Sequence, residues 1–136
     1  MPLAPSPECP FCQIIGGGAR HLVAENETAV AFEDAYPLAE GHTLVVPRRH
    51  VANPLELDEQ EWLDLHSLAR AVALQLQSAG VSTAFNIGSN CGDAAGQTIG
   101  HAHLHVIPRR GGDHPDPRGG IRAVLPVRAA YWELSE

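Results

Sequence analysis

Residues 100–107 read Gly-His-Ala-His-Leu-His-Val-Ile, so that His101, His103 and His105 fall at every second position with apolar residues between them. A β-strand sends alternate side chains to opposite faces and rises about 3.3 Å per residue. The alternation therefore predicts a strand over 101–107 that turns its apolar residues into the core and its three imidazoles to the other surface. Three titratable rings on one wall indicate a chemical site.

A metal site competes with this interpretation, because histidine is the commonest side-chain metal ligand. On a regular strand the Cα atoms of His101 and His105 lie about 13 Å apart. That separation is too large for parallel side chains to meet on one zinc ion through bonds of about 2.0 Å. A neighbouring pair of these histidines can share a metal, whereas a site made from all three is disfavoured.

The loop that leads into this strand, residues 90–98, reads Asn-Cys-Gly-Asp-Ala-Ala-Gly-Gln-Thr. Its glycines permit backbone conformations that aim N–H groups at an anion. Asn90, Gln97 and Thr98 offer side-chain donors beside them. A plain turn accounts for the same composition, and only the position next to the histidines favours phosphate binding.

Residues 96–109, Gly-Gln-Thr-Ile-Gly-His-Ala-His-Leu-His-Val-Ile-Pro-Arg, resemble the signature of the histidine triad family of nucleotide hydrolases and transferases. The resemblance continues upstream through residues 32–37 and 41–50 and covers residues 9–110. It implies an α+β fold with an antiparallel sheet of five strands, one long helix and one short one. It also implies a homodimer across which the sheet extends.

The resemblance assigns a role to each histidine of the triad. In that family the middle histidine, here His103, attacks the α-phosphorus of an AMP ester, a phosphoramidate or a dinucleoside polyphosphate and forms a covalent nucleotidyl-histidine. The backbone carbonyl of His101 would fix the proton on the other ring nitrogen of His103, and His105 would donate to the phosphoryl oxygens. A neutral imidazole suits this chemistry because it both attacks and leaves near neutral pH. Further phosphate contacts are implied for Asn90, Gln97 and Thr98.

The same resemblance implies where a purine nucleotide would place its nucleoside. Asp34 matches the acid that binds ribose, and a carboxylate can accept from both ribose hydroxyls. The implied base pocket is apolar and consists of Phe11, Ile14, Phe32 and Leu44. By residue type alone, these four are equally ordinary members of a hydrophobic core.

Cys9-Pro-Phe-Cys12 is a second constellation, in a chain with only one other cysteine. Such a pair suits metal or redox chemistry better than a disulfide scaffold. The resemblance adds His50 and His101 as partners, which gives the closed Cys₂His₂ set of a structural zinc and leaves no catalytic metal. Reduced thiols and a disulfide are the alternatives.

The composition limits the remaining possibilities. A chain of 136 residues with a net charge of −7 makes one domain, here 9–136 with an extended C-terminal loop and tail, after a flexible segment 1–8. Its negative charge disfavours extended nucleic-acid binding. No secretory signal or membrane span of about 20 apolar residues is recognisable, which predicts a cytoplasmic protein without membrane contact.

Local patterns predict the order of the elements. Strand candidates are residues 21–24, 28–34, 42–47, 82–88 and 101–107. Asp58 followed by Glu61 resembles a capping box at the start of a long helix, which Gly80 would end. Early hairpins and one long helix predict an antiparallel sheet with helices on one side.

The sequence after the triad predicts a surface loop, because residues 109–120 are rich in glycine and proline. Arg118 and Arg122 either reach a distal phosphate from it or remain solvated. Tyr131 and Trp132 in the tail favour a subunit contact.

Three functions remain open at this stage. The first is a nucleotide hydrolase or nucleotidyl transferase that acts through a covalent histidine intermediate. The second is a zinc-dependent hydrolase whose triad histidines hold a catalytic metal, and the third is a nucleotide-binding protein with little activity.

Overall fold

The computed structural model describes residues 8–18 and 20–134, so most of the predicted flexible segment 1–8 lies outside the described residues. The helices and strands are α1 (Pro10–Ile15), β1 (Leu22–Glu25), β2 (Ala29–Glu33), β3 (Thr43–Pro47), α2 (Glu59–Ser78), β4 (Ala84–Gly88) and β5 (Leu104–Arg109). The bounds of β1, β2 and β3 lie within one residue of the prediction, those of β4 within two and those of β5 within three. Within the described ranges, no helix combines the length and apolar character needed to cross a bilayer.

The five strands form one sheet in the order β1-β2-β3-β5-β4, and every neighbouring pair is antiparallel. The predicted α+β fold with one long and one short helix is therefore confirmed. β1 and β4 are the edges of the sheet. The extension of the sheet across a homodimer stays a prediction.

Helices cover both faces of the sheet, so the prediction that they lie on one side is wrong. On one face, Ala31, Val45 and Val106 pack against α2 in a buried cluster. On the other face, Phe32 and Val46 pack against α1 in a second cluster. Residues on both faces of β2 and β3 are buried for this reason, and a six-residue helix is too short to be recognised by apolar periodicity.

The predicted strand over 101–107 is displaced toward the C-terminus, because β5 begins only at Leu104 and runs to Arg109. The backbone N–H of Ala102 donates to the carbonyl of Val51, outside the sheet. Residues 101–103 thus leave the ladder, and the side chain of His101 enters the interior. From Leu104 onward the alternation is as predicted, with Leu104 and Val106 facing α2.

Helix α2 begins with the predicted capping box. The Asp58 side chain accepts from the Glu61 N–H at 2.8 Å, and the Glu61 carboxylate accepts from the Asp58 N–H at 3.1 Å. The same carboxylate accepts from Arg49 Nε and Nη2 at 2.9 and 2.7 Å. Glu61 therefore ties the start of α2 to the segment that follows β3, and these hydrogen bonds hold the pKa of its carboxyl below the ordinary value.

One glycine is required by both its backbone and its surroundings. Gly41 has φ +88°, and a Cβ there would lie 3.1 Å from Leu76 Cδ2 and 3.3 Å from Pro108 Cγ. The turn before β3 can therefore approach both α2 and β5 closely.

Replacement of Glu61 by alanine should lower the free energy of unfolding by about 1–3 kcal/mol, because it removes half of a capping box and two charge-assisted hydrogen bonds. The matched control is Glu59→Ala, an exposed residue of the same helix turn. Urea denaturation of both variants measures the difference. An equal loss in the two variants would contradict the assigned contacts.

Candidate active site

A cavity of about 560 Å³ opens between α1, the turn after β2, the loop before β5 and β5 itself. Most of the residues that the sequence analysis singled out for substrate lie in its walls. They are Phe11, Ile14, Phe32, Asp34, Leu44, Asn90, Thr98, His103 and His105.

The apolar wall of the cavity is also part of the hydrophobic core. Phe11, Ile14, Phe32 and Leu44 belong to the cluster between α1 and the sheet, and the rings of Phe11 and Phe32 are 5.4 Å apart. The interpretation of these residues as a base pocket and their interpretation as hydrophobic core are therefore compatible. Their outer surfaces form a rigid apolar slot because their remaining surfaces are packed.

The tautomer of His103 follows from its backbone contact. Its Nδ1 lies 2.8 Å from the carbonyl oxygen of His101, and a carbonyl can only accept, so the proton is on Nδ1. The lone pair is consequently on Nε2, as a nucleophile requires. Because His103 lines the cavity, a ligand there meets this unprotonated nitrogen.

A second histidine pair fixes the proton of His105. The Leu38 N–H donates to His42 Nδ1 at 3.0 Å, which leaves the proton of a neutral His42 on Nε2. His42 Nε2 lies 3.0 Å from His105 Nδ1 and donates to it. His105 therefore carries its own proton on Nε2 and offers a hydrogen-bond donor beside His103.

Burial keeps this pair neutral. Desolvation, with a smaller contribution from the nearby imidazoles of His103 and His42, lowers the pKa of His105 to about 4, while Asp34 opposes the shift. Desolvation also lowers the pKa of His42, against the raising effect of Asp34. The direction of the relay from Leu38 through His42 to His105 is thus preserved at neutral pH.

Asp34, His42 and His105 also form a group whose donor atoms lie within 4.8 Å of one another. A metal ion here would need a lone pair on His42 Nε2. The Leu38 N–H already occupies the lone pair on Nδ1, so Nε2 carries the proton instead. These contacts favour a hydrogen-bond relay over the catalytic metal of the zinc-hydrolase hypothesis.

The loop before β5 uses its polar side chains in two ways. Asn90 and Thr98 line the cavity, and their side chains make no hydrogen bond to another described residue. Gln97 is not among the residues that line the cavity, and its predicted contact with phosphate stays a prediction. Its side chain accepts from the Gly92 N–H at 2.9 Å and donates to the carbonyls of Ala52 and Ile99, so it holds the loop closed.

The sequence analysis missed the roles of His42 and Arg20. His42 does not line the cavity, but it is buried and its Nε2 orients His105. A histidine directly before the apolar run of β3 is the available signal. Arg20 does line the cavity. Arg20 lies over the ring of Phe32, 5.7 Å from its centroid. No local pattern distinguishes Arg20 from other surface arginines.

The predicted metal ligands Cys9, Cys12, His50 and His101 come together in one cluster. Cys12 Sγ lies 3.2 Å from His50 Nδ1 and 3.6 Å from His101 Nδ1, and the two Nδ1 atoms are 3.2 Å apart. Cys9 Sγ lies 3.5 Å from His101 Nδ1. These ligands come from α1, the end of β3 and the segment before β5.

The cluster fits a tetrahedral zinc ion. Zinc bonds of about 2.0–2.3 Å place neighbouring ligand atoms about 3.3–3.8 Å apart, which is close to the spacing in the cluster. His101 Nε2 donates to the Pro47 carbonyl at 2.8 Å, so its Nδ1 presents a lone pair to the cluster. Such an outer contact is typical of a metal-binding histidine.

The C-terminal arginines Arg118 and Arg122 make contacts outside the cavity. Arg118 pairs with Asp116 and lies over the Trp132 ring, 4.3 Å from its centroid. Arg122 donates to the carbonyls of Arg128 and Ala129 at 2.8 and 2.9 Å. Neither guanidinium lines the cavity, which favours the interpretation that they do not contact a distal phosphate.

Comparisons with known proteins agree with this geometry. The family model described as HIT domain matches residues 18–112. A hypothetical histidine triad nucleotide-binding protein from Sulfolobus tokodaii has a similar structure, with a TM-score of 0.71 and 39% identity over 79% of this chain and 73% of that one.

Two further solved structures are similar over most of the chain. A Zn-bound histidine triad family protein from Mycobacterium smegmatis has a TM-score of 0.73 and 30% identity, covering 92% of this chain and 95% of that one. A HIT family hydrolase from Clostridium thermocellum has a TM-score of 0.68 and 33% identity, covering 82% and 97%.

The buried histidine relay should make stability depend on pH. Because the pKa of His105 is lowered from 6.5 to about 4 in the folded state, the unfolded chain binds more protons between these values. The contribution of a neutral His105 to the free energy of unfolding is therefore fully present above pH 6.5. It should be lost as the pH drops toward 4. His105→Asn should reduce this loss, as measured by urea denaturation between pH 7 and 4.5.

The control for this experiment is His21→Asn, because His21 is exposed and lies outside the cavity. It should keep the pH dependence of the wild type. A His105→Asn variant with the same pH dependence as the wild type would contradict a neutral, buried His105.

Proposed function

This chain belongs to the histidine triad family, and we propose that it is a nucleotide hydrolase or nucleotidyl transferase in which His103 attacks the α-phosphorus of its substrate. The hydrogen bond from His103 Nδ1 to the His101 carbonyl carries the proposal, since it leaves the Nε2 lone pair at the cavity. The similarity to a HIT family hydrolase supports an enzyme of this general kind.

The reaction proceeds in two displacements. His103 Nε2 forms a bond to phosphorus, and the bond to the leaving group breaks with its electron pair remaining on that group. His105 Nε2–H, oriented by His42, donates to the phosphoryl oxygens as charge develops. Water then attacks phosphorus and releases a nucleoside monophosphate, and His103 regains its lone pair.

The remaining cavity residues fit the nucleoside. Asp34 Oδ1 accepts from the Tyr36 N–H at 2.9 Å, which fixes the carboxylate at the cavity wall. We assign this carboxylate to the ribose hydroxyls and the apolar slot to the purine. Asn90 and Thr98 remain available for phosphate oxygens.

We also propose that Cys9, Cys12, His50 and His101 hold a zinc ion with a structural role. A closed set of four protein ligands leaves no position for water or substrate. When bound, the ion cross-links three chain segments and fixes the backbone of His101. The similarity to a Zn-bound family member supports this assignment.

The nucleophile is tested by His103→Ala, which should reduce kcat on an AMP ester or adenosine phosphoramidate by at least a factor of about 1,000. No neighbouring group can replace the covalent bond. Binding of AMP, measured by calorimetry, should persist. The control is His66→Ala, whose imidazole contacts the Trp62 carbonyl on α2 and lies outside the cavity.

Rapid quench of the wild type with α-phosphorus-labelled substrate should yield acid-labile, base-stable label on the protein. His103→Ala should give none. Retention of more than a tenth of wild-type activity would exclude His103 as the nucleophile. Nucleotide binding without hydrolysis in the wild type would favour a binding protein.

The structural role of zinc is tested by Cys9→Ser combined with Cys12→Ser. The wild type and the control Cys91→Ser should each contain about one equivalent of zinc, and the double variant none. The double variant should have a lower free energy of unfolding than the wild type, and each kcal/mol of this decrease should lower its Tm by about 2–8 °C. Its folded fraction should retain hydrolysis, and complete loss of chemistry in folded, metal-free protein would favour the metallohydrolase hypothesis.

A further inference from the structure

A second cavity of about 370 Å³ adjoins His105 on the side away from the nucleoside slot. Its walls share His105 and Asn90 with the first cavity but do not include His103. In an in-line displacement, the leaving group departs from the face of phosphorus opposite the nucleophile. A phosphate held by His105 and Asn90 would therefore direct its leaving group into this second cavity, which we call the leaving-group groove.

The walls of the leaving-group groove are mostly apolar. Ile107 comes from β5, and Ile121 and Val124 come from the 3₁₀ helix Gly120–Val124. Ile121 is 62% exposed and Val124 75% exposed. Apolar side chains that remain open beside a polar site favour a ligand that covers them.

No arginine lies among the described residues of the groove walls. Arg109, just beyond the groove, is paired with Asp113 and donates to Asn86 at 2.6 Å. Arg118 and Arg122 are committed to contacts in the tail. The phosphates of a nucleoside polyphosphate would bring several negative charges to this apolar surface, in a protein of net charge −7, without a cation to pair with them.

On the basis of the proposed function, we infer that the leaving group is uncharged and apolar, joined to the nucleotide through nitrogen or oxygen. For an amide substrate, the His103–phosphorus bond forms while the phosphorus–nitrogen bond breaks and its electron pair remains on nitrogen. Over the whole cycle, one water supplies the proton of the released amine and the hydroxyl of the nucleoside monophosphate.

The inference is tested with three substrates that share the adenosine α-phosphate: adenosine phosphoramidate, its N-benzyl derivative and diadenosine triphosphate. The wild type should prefer the N-benzyl amide over diadenosine triphosphate by at least about tenfold in kcat/KM. Ile121→Glu should lower the ratio of kcat/KM for the N-benzyl amide to that for the unsubstituted amide by about tenfold. Ile121→Arg should shift selectivity toward diadenosine triphosphate.

The matched control is Val127→Glu, which adds the same charge on the neighbouring 3₁₀ helix Pro126–Arg128 at a side chain that is 93% exposed and outside the groove. It should leave all three kcat/KM values unchanged. Thermal denaturation checks that both variants are folded.

The outcomes separate this inference from the proposed function. Hydrolysis of none of the three substrates would overturn both, whereas hydrolysis of diadenosine triphosphate alone would overturn only the inference. Two results would overturn only the inference while the unsubstituted amide is still hydrolysed. In the first, Ile121→Glu has the same ratio of kcat/KM for the N-benzyl amide to that for the unsubstituted amide as the wild type. In the second, the wild type has a higher kcat/KM for diadenosine triphosphate than for the N-benzyl amide. An oligomer that Ile121→Glu dissociates would assign the groove to a second copy of the chain.

Discussion

The geometry of the site depends on His101, a fully buried histidine whose ring nitrogens and carbonyl all have partners. Its Nε2 donates to Pro47, its Nδ1 faces the cysteine cluster, and its backbone carbonyl fixes the proton of His103. An unpaired buried polar group costs about 1–3 kcal/mol, so each of these contacts restricts where the residue can lie. The Cys₂His₂ cluster and His103 are consequently one structural unit, although of the two only His103 lines the cavity.

A single backbone N–H group sets the direction of the hydrogen bonds between His42 and His105. Because the Leu38 N–H occupies His42 Nδ1, protons are ordered along the two imidazoles toward the cavity. In a poorly hydrated site such ordered hydrogen bonds polarise one another. The protein thereby places the protonated Nε2 of His105 beside the Nε2 lone pair that the His101 carbonyl leaves on a neutral His103.

The sequence predicted features that are encoded locally or by a long motif. The capping box of α2 and the apolar alternation of β5 from Leu104 onward are local, and both are seen in the structure. The displaced start of β5 could not be predicted, since it depends on a hydrogen bond to Val51 and on the destination of the His101 side chain. The role of His42 and the contacts of the Gln97 side chain were missed for a similar reason. His42 contacts His105, which is distant in sequence, and Gln97 contacts backbone groups that no sequence pattern identifies.

The turn at Gly41 has a consequence for the interpretation of sequence variation among relatives. A side chain at this position would strain the backbone and press against Leu76 and Pro108. Its neighbour His42, by contrast, is restricted by hydrogen bonding. Retention of a Gly-His pair at 41–42 during evolution would therefore combine two independent selective pressures. Covariation of position 41 with residues on α2 would report packing, whereas exchanges at position 42 would report on proton placement.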